Sequence, residues 1–140
     1  MKPKYLINNN SKRKDPMSVR FTPDHEWLRL EDNGELTVGI TDYAQSALGD
    51  VVFVQLPDLE TYQAGQEVVV LESVKAASNI TMPLTGQVVA VNEAVAQEPE
   101  LVNASPVDQG WFFRFLPTDA SGLASLMDET GYQDYLRQQE

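Results

Sequence analysis

The chain has 140 residues, of which 10 are basic and 21 acidic, for a formal net charge of −11, and it contains no cysteine. This length suits one domain, and a hydrophobic fraction of 42% is enough for a packed core. The acidic balance argues against nucleic acid or an anionic membrane as a main partner, because phosphate contacts need clustered Lys and Arg. No apolar run approaches the roughly 20 residues of a membrane span. Without cysteine the polypeptide offers no disulfide framework, zinc–thiolate site or thiol nucleophile.

Half of the basic residues lie in residues 1–16, where five Lys and Arg accompany a single acid. This segment is polar and rich in Asn and Lys, so we predict a disordered leader or an appended extension outside the domain. A secretory signal would need an apolar core that is absent here, and an organellar transit peptide is usually richer in Arg and Ser. Met17 resembles a second start, and residues 17–140, with five basic and 20 acidic side chains, form the predicted domain.

The first predicted elements are a hairpin and a short helix. Residues 27–31 and 36–40 are apolar-rich runs, and an Asn-Gly pair between them, ending at Gly34, is a hairpin signal because both residues tolerate positive φ. Thr41 is placed to cap a helix, and Gly49 is placed to end it. The spacing of the apolar positions predicts that one helical face carries Tyr43, Ala44, Ala47 and Leu48.

Several short strands are predicted next. The β-branched runs at residues 51–56 and 68–71 have strand length. Residues 79–82 and 87–91 are predicted to form a strand pair, with a proline and Gly86 marking the turn between them.

The C-terminal part changes from strand to helix. Pro99 can begin one helical turn, and residues 111–116 form the last predicted strand. Helical spacing returns after Asp119, with a break expected at Gly131 and a last helix over residues 132–136. About seven short strands with terminal helices predict a mainly β protein, a compact sandwich or barrel with α-helical additions.

Most patterns that carry chemistry are absent or weak. His25 is the only histidine, so neither a zinc site of the usual kinds nor a Ser–His–acid triad is supported, and we interpret it as a structural or surface residue. No glycine-rich phosphate cradle is present. Carboxylates that lie close in sequence are expected by chance among 20 acids. We therefore predict no catalytic and no metal-ligating residue.

Lys75 is the one lysine after residue 16. It lies between two predicted strands, with Glu72 and Ser73 before it and small residues after it, which indicates an exposed hairpin tip. A solvated lysine is almost wholly protonated at neutral pH and is a poor nucleophile, whereas a Schiff-base lysine is desolvated or lies beside another cation. Modification by another enzyme therefore suits Lys75 better than catalysis in place.

Around this lysine the sequence resembles the H proteins of the glycine cleavage system, because Glu72-Ser73-Val74-Lys75-Ala76 is similar to their lipoylation site. The resemblance spans about residues 20–136. The other motifs that carry it keep the family's order and spacing: His25-Glu26-Trp27, Val38-Gly39-Ile40-Thr41, Tyr43-Ala44-Gln45, Leu48-Gly49-Asp50, Leu56-Pro57, Pro83, Gly86, Val91-Asn92, Pro99-Glu100-Leu101-Val102-Asn103 and Gly110-Trp111.

The resemblance implies a lipoyl-domain-like barrel-sandwich hybrid, mainly β, with short α-helices that include C-terminal ones. It implies that residues 17–140 are a single lipoyl-carrier domain in which Lys75 carries lipoate in amide linkage. Glu72, three residues before the lysine, and Gly86, eleven after it, fall on positions linked to recognition by the lipoate-attaching enzymes. We expect Gly86 to permit a close turn, so that Gly86→Ala reduces modification more than folding. A cleft of the carrier would shelter the loaded arm, and His25 is a candidate to line it.

The resemblance also implies a carrier that is not itself an enzyme. Glycine decarboxylase (P protein) would load an aminomethyl group of glycine onto the lipoyl arm, and the aminomethyltransferase (T protein) would receive it. Dihydrolipoamide dehydrogenase (L protein) would then reoxidise the arm. We expect a monomer, in a bacterial-type cytoplasm rather than a mitochondrial matrix or plastid.

Three other interpretations remain open. One is an H-like lipoyl relay or interaction module outside glycine cleavage, and another is an enzyme that uses Lys75 as a Schiff-base nucleophile. A biotin or oxoacid-dehydrogenase carrier domain is the third. Biotin sites typically have Met on both sides of the lysine, where this chain has Val74 and Ala76. Oxoacid-dehydrogenase domains typically have Asp before the lysine and lack the His-Glu-Trp and C-terminal helical segments.

Overall fold

The computed structural model describes residues 19–139, so the predicted leader at residues 1–16 and the start at Met17 lie outside the described residues. The strands are β1 Val19–Phe21, β2 Glu26–Leu30, β3 Leu36–Ile40, β4 Val51–Gln55, β5 Thr61–Tyr62, β6 Glu67–Ser73, β7 Ala77–Thr81, β8 Gly86–Val91 and β9 Phe113–Pro117. The helices are α1 Asp42–Leu48, α2 Glu93–Gln97, α3 Leu101–Ala104 and α4 Glu129–Gln139, with a 3₁₀ segment at Ala120–Ser125.

The strands form two antiparallel sheets that share one core. The larger sheet has six strands in the order β1-β2-β3-β9-β8-β5, and the smaller has three in the order β4-β6-β7. Fully buried side chains from both sheets meet in a single cluster, among them Leu28, Val38 and Phe115 from the larger sheet and Leu71 from the smaller. The mainly β prediction is therefore confirmed. The seven predicted strands omitted β1 and β5, which have only three and two residues.

The predicted hairpin between β2 and β3 is confirmed, but its loop differs in detail. The two strands pair from Glu26 opposite Ile40 to Leu30 opposite Leu36. Gly34 has a φ of 89°, whereas Asn33 does not have a positive φ. Only Gly34 therefore adopts the left-handed conformation. This is typical of hairpin loops longer than two residues, in which a turn is followed by one glycine of positive φ.

Helix α1 begins and ends as predicted, because the hydroxyl of Thr41 accepts a hydrogen bond from Ala44 N and Gly49 has a φ of 89°. The predicted apolar face is only half right. Ala44 and Leu48 pack against the core, whereas Tyr43 is 43% exposed. The helix lies over an edge of the core and buries a narrower stripe than its composition indicates.

The prediction that residues 79–82 and 87–91 pair with each other is wrong. Both segments are strands, but β7 pairs with β6 in the smaller sheet, and β8 pairs with β5 and β9 in the larger. The connection between β7 and β8 therefore crosses from one sheet to the other. Gly86 is the first residue of β8 and lies in the sheet, not in a turn.

A second, smaller cluster lies on the other face of the larger sheet, beneath α4. The rings of Phe21 and Tyr132 stack with centroids 4.5 Å apart, and Trp27 completes the buried group. The predicted break at Gly131 is wrong, because α4 continues through it and Gly131 N donates to the Asp128 carboxylate before the helix. Within residues 19–139, no helix is long and apolar enough to cross a membrane.

Candidate functional site

Lys75 lies at the exposed tip of the β6–β7 hairpin, as the sequence predicts. The turn is closed by a hydrogen bond from Ser73 N to Ala76 O at 2.7 Å. The Ser73 hydroxyl also accepts hydrogen bonds from Lys75 N at 3.2 Å and Ala76 N at 3.0 Å. These bonds fix the backbone on both sides of the lysine, so its side chain projects from a defined turn.

The loop between α1 and β4 supports the tip from one side. Val74 N donates to Asp50 O at 3.0 Å, and a Cβ placed on Gly49 would lie 3.1 Å from Lys75 Cε. The aliphatic stem of the lysine therefore runs across Gly49, where the absence of a side chain leaves room for it.

Asn103, from α3, holds this supporting loop in place. Its Oδ1 accepts from Val51 N at 2.8 Å, and its Nδ2 donates to Gly49 O and to Gln45 Oε1, each at 2.9 Å. One side chain thus joins three segments beneath the lysine. Asn103 is not predictable from the sequence as part of the site, because its contacts span more than 50 residues.

The surroundings of Lys75 do not favour catalysis by the lysine itself. The side chain is exposed, and within residues 19–139 no carboxylate forms an ion pair with its Nζ. A Schiff-base lysine needs desolvation or a neighbouring cation, and the described residues supply neither. An exposed primary amine on a fixed turn is instead accessible to a modifying enzyme.

Glu72 lies on the solvent face of the smaller sheet, close to the tip. It pairs with Phe53 of β4 on one side and with Ala77 of β7 on the other. Residues that are directly opposite one another point to the same face, so these three side chains form a row across the sheet. All three side chains are exposed, so an enzyme that approaches Lys75 can contact this row.

Gly86 lies beyond the hairpin, at the start of β8 in the larger sheet, and has a different environment. Strand β7 carries the chain away from the tip by four residues, about 13 Å at the usual rise. A Cβ on Gly86 would lie 2.5 Å from Leu116 O and 2.9 Å from Pro117 Cα. Gly86 is therefore required by the close approach of β9, and the expectation that it permits a turn is wrong.

A cleft of about 340 Å³ lies along the β6–β7 hairpin, away from the tip. Leu48 of α1 forms part of its wall together with Leu71 and Ile80, and Glu26 and Asn79 contribute polar groups. Its mixed walls can accommodate a flexible hydrocarbon chain with a polar end. Ser78, three residues after Lys75, also lines the cleft, so the residues present suit a long acyl arm on Lys75.

Glu26 is the most perturbed acid of the described residues. Burial and the nearby charge of Asp24 raise its pKa from 4.5 to about 7, although hydrogen bonds from the Thr22 hydroxyl and the Thr81 backbone act in the opposite direction. The residue is 3% exposed and lines the cleft. It is therefore placed to change charge near neutral pH beside anything that enters the cleft.

His25 lines the same cleft, and it is also held structurally. It has a φ of 67°, in the left-handed region that non-glycine residues rarely adopt. Its Nδ1 lies 2.8 Å from the Tyr132 hydroxyl, and its ring lies 4.5 Å from that of Tyr43. Burial lowers the pKa of His25, an effect that Asp24 opposes. These contacts fix the ring at the rim.

A two-sheet β fold that presents one lysine on a tight, supported hairpin, with a cleft lined in part by the same hairpin, is the architecture of a lipoyl carrier. The family model described as "Glycine cleavage H-protein" matches residues 19–139. The chain is 63% identical over 118 residues to glycine cleavage system H protein 1 of Pseudomonas aeruginosa, covering 84% of this chain and 93% of that protein. It is 58% identical over 119 residues to the protein of the same name from Pseudomonas putida, covering 85% and 94%.

The crystal structure of a glycine cleavage system H protein from Mycobacterium marinum superposes with a TM-score of 0.76 at 36% identity, covering 89% of this chain and 98% of that one. The chain belongs to the glycine cleavage H-protein family. The predicted barrel-sandwich fold with short helices is thereby confirmed.

Members of this family carry lipoate covalently on a lysine and work with the P, T and L proteins of glycine cleavage. The chain is accordingly a lipoyl carrier of glycine cleavage, a component of a multienzyme system and not itself an enzyme. The predicted function and cofactor class are confirmed.

Proposed function

We propose that Lys75 is the lipoyl attachment site. The observation that carries this assignment is its position: it is the one lysine of residues 19–139, and it is exposed at the tip of a turn fixed by Ser73. An attached arm would leave from a rigid base and swing over the surface. A tethered group of this kind has a high effective concentration at each docked partner.

The protein's contribution is presentation and protection. The lipoyl group, when bound, supplies the disulfide and dithiol chemistry on which group transfer and reoxidation depend. Among the chain's own residues, Asn103 holds the loop at Gly49 across which the stem of Lys75 runs, and residues of the same hairpin line the cleft. The chain would in this way receive the aminomethyl group from the P protein, release it to the T protein and be reoxidised by the L protein.

We further propose that the cleft shelters the loaded arm. Leu48, Leu71 and Ile80 offer apolar contacts to a hydrocarbon chain, and Glu26 provides a carboxyl group that is ionised above about pH 7. An aminomethyl group carries a basic amine, which a carboxylate stabilises in its protonated form. A sheltered amine is also less accessible to water.

Glu72 and Gly86 remain proposed recognition residues for the lipoate-attaching enzymes, but in different ways. Glu72 faces solvent near the tip and can contact such an enzyme directly. Gly86 is buried against β9, so its effect on recognition would be indirect, through the packing that positions the hairpin.

The proposed functional unit is a monomeric single domain over residues 17–140, in the bacterial cytoplasm. The net charge of −15 over this segment supports a monomer, because like charges disfavour self-association. The bacterial origin of the similar proteins supports the location. Light scattering on the purified protein and cell fractionation test the two statements.

The attachment site is tested by intact mass. Protein made in a lipoate-competent host should gain the mass of one lipoyl group, and the Lys75→Arg variant, which keeps the charge, should not. Purified apo protein should likewise accept one lipoyl group from a lipoate-attaching enzyme. An unmodified Lys75 under lipoate excess, or a lipoylated Lys75→Arg variant, would exclude this site.

A further inference from the structure

Three exposed apolar side chains surround the base of the Lys75 turn. Val52, Phe53 and Val74 are 55%, 44% and 69% exposed. Single exposed apolar residues are ordinary on protein surfaces. These three are unusual because they come from two separate segments, β4 and the turn, whose backbones are hydrogen-bonded next to each other close to Lys75. With Glu72 they form a surface that we call the β4 patch.

The sheet register places the β4 patch next to the tip. Phe53 pairs with Glu72, and Val74 N donates to Asp50 O two residues before Val52. The pairing of β4 with β6 is irregular between Val51 and Phe53, so Val52 is an extra residue of the strand. A β-bulge of this kind interrupts the alternation of side chains, and here Val52 and Phe53 are both exposed between the buried Val51 and Val54.

The charges at the edge of the β4 patch have one sign. Glu72 and Asp50 are both exposed and flank the apolar side chains. A complementary partner would offer an apolar contact area with a Lys or Arg opposite Glu72, and opposite charges favour its approach.

We infer that the β4 patch is the docking surface for the lipoate-attaching enzyme, an inference that rests on the proposed attachment at Lys75. In the attachment step, Nζ loses a proton and attacks the carbonyl carbon of an activated lipoyl donor, an acyl adenylate or thioester. The new N–C bond forms, the bond to the leaving group breaks with its electron pair, and the nitrogen loses a second proton to give the amide.

The geometry of that step selects this partner over the cleavage enzymes. The reaction centre of the attaching enzyme must reach Nζ itself, which brings its surface onto the residues around the turn. The P, T and L proteins act at the sulfur end of the arm, several bonds beyond Nζ. They can therefore dock without covering the β4 patch.

The experiment measures lipoylation of purified apo protein by a lipoate-attaching enzyme, followed by intact mass. The Val52→Thr/Phe53→Thr double variant keeps β-forming residues but loses apolar surface, and kcat/KM should fall at least about tenfold, mainly through KM. The matched control Val107→Thr/Leu116→Thr removes side chains that are 55% and 48% exposed elsewhere, and it should stay within about twofold. An unchanged double variant, or an equal loss in the control, would overturn the inference.

Two further measurements separate docking from other effects. In the Lys75→Arg background, where no attachment occurs, the double variant should bind the enzyme about tenfold more weakly. The near-isosteric Val52→Thr variant alone, checked by thermal melting, should lower kcat/KM about threefold if the double variant does not fold. A wild-type protein that is not lipoylated at Lys75 refutes the proposed function, whereas normal lipoylation of these variants refutes only the β4 patch.

A last measurement tests the choice of partner. With the double variant lipoylated to completion at high enzyme concentration, the P protein should exchange the carboxyl carbon of glycine with carbon dioxide at the rate it shows with the wild-type carrier. A loss there as large as the loss in lipoylation would assign the surface to the cleavage enzymes and overturn the inference.

Discussion

Replacing Glu26 by Gln should make the protein more stable at neutral and alkaline pH, although a native carboxyl group is lost. Burial and Asp24 raise the pKa of Glu26 from 4.5 to about 7 in the folded protein. The folded state therefore favours the protonated form. Its contribution to stability is complete below the unfolded pKa and is lost as the pH rises from about 4.5 through 7.

The size of this loss follows from the two pKa values. One pKa unit corresponds to about 1.4 kcal/mol, so the difference between 4.5 and about 7 amounts to about 3 kcal/mol of unfolding free energy. Glutamine keeps an acceptor for the Thr22 hydroxyl and carries no charge, so the variant avoids this cost. Above pH 7 the variant should exceed the wild type by up to about 3 kcal/mol.

Urea unfolding at pH 4, 5.5, 7 and 8.5 measures the effect. The stability difference between Glu26→Gln and wild type should be smallest at pH 4, grow through pH 5.5 and level off above pH 7. Glu72→Gln, at an exposed carboxylate on the smaller sheet, is measured in parallel as the variant that loses one carboxylate without changing the core. A difference that is constant with pH, or a variant that is less stable at pH 8.5, would refute the reasoning.

Three further changes test the support of the hairpin and the cleft. Gly86→Ala should destabilise the protein by about 1–3 kcal/mol, because its Cβ would meet the β9 backbone, and chemical denaturation measures the loss. Asn103→Ala removes three hydrogen bonds beneath the lysine and should cost about 2 kcal/mol, with faster amide exchange at Val51. Tyr132→Phe removes a buried hydroxyl shared by two side chains and should cost about 1 kcal/mol in the same assay.

Each of these three predictions has an outcome that would contradict it. Gly122→Ala meets only the flexible end of Leu84, so a cost equal to that of Gly86→Ala would show that contact with β9 is not decisive. Unchanged exchange at Val51 in Asn103→Ala would mean that the supporting loop is held by other contacts. A Tyr132→Phe variant as stable as wild type would show that the hydroxyl contributes nothing net.

Local chemistry made the elements near turns and caps predictable. The β2–β3 hairpin and the cap of α1 depend on Gly34 and Thr41, whose conformational preferences act within a few residues. The position of Lys75 was predictable for the same reason, because a strand, a short polar turn and a second strand are adjacent in sequence. The motif around it then indicated the family.

Long-range contacts account for what the sequence did not predict. A proline and Gly86 after β7 indicate a turn, but they do not say which sheet receives the next strand, so β7 and β8 were paired wrongly. The requirement for Gly86 comes from β9, about 30 residues further along the chain. The cleft likewise combines Glu26, Leu48 and Asn79, which no spacing rule relates.

The distribution of charge explains how modification leaves the carrier's electrostatics almost unchanged. Residues 17–140 have a net charge of −15, and Lys75 is one of only five basic residues among them. The proposed amide formation at Lys75 would remove its charge and take the segment to about −16. Since the acids near the tip, Glu72 and Asp50, are unaffected, any electrostatic attraction to basic partners persists in both forms. Discrimination between the apo and lipoylated forms must then come from contacts at the hairpin tip and the cleft, not from the overall field.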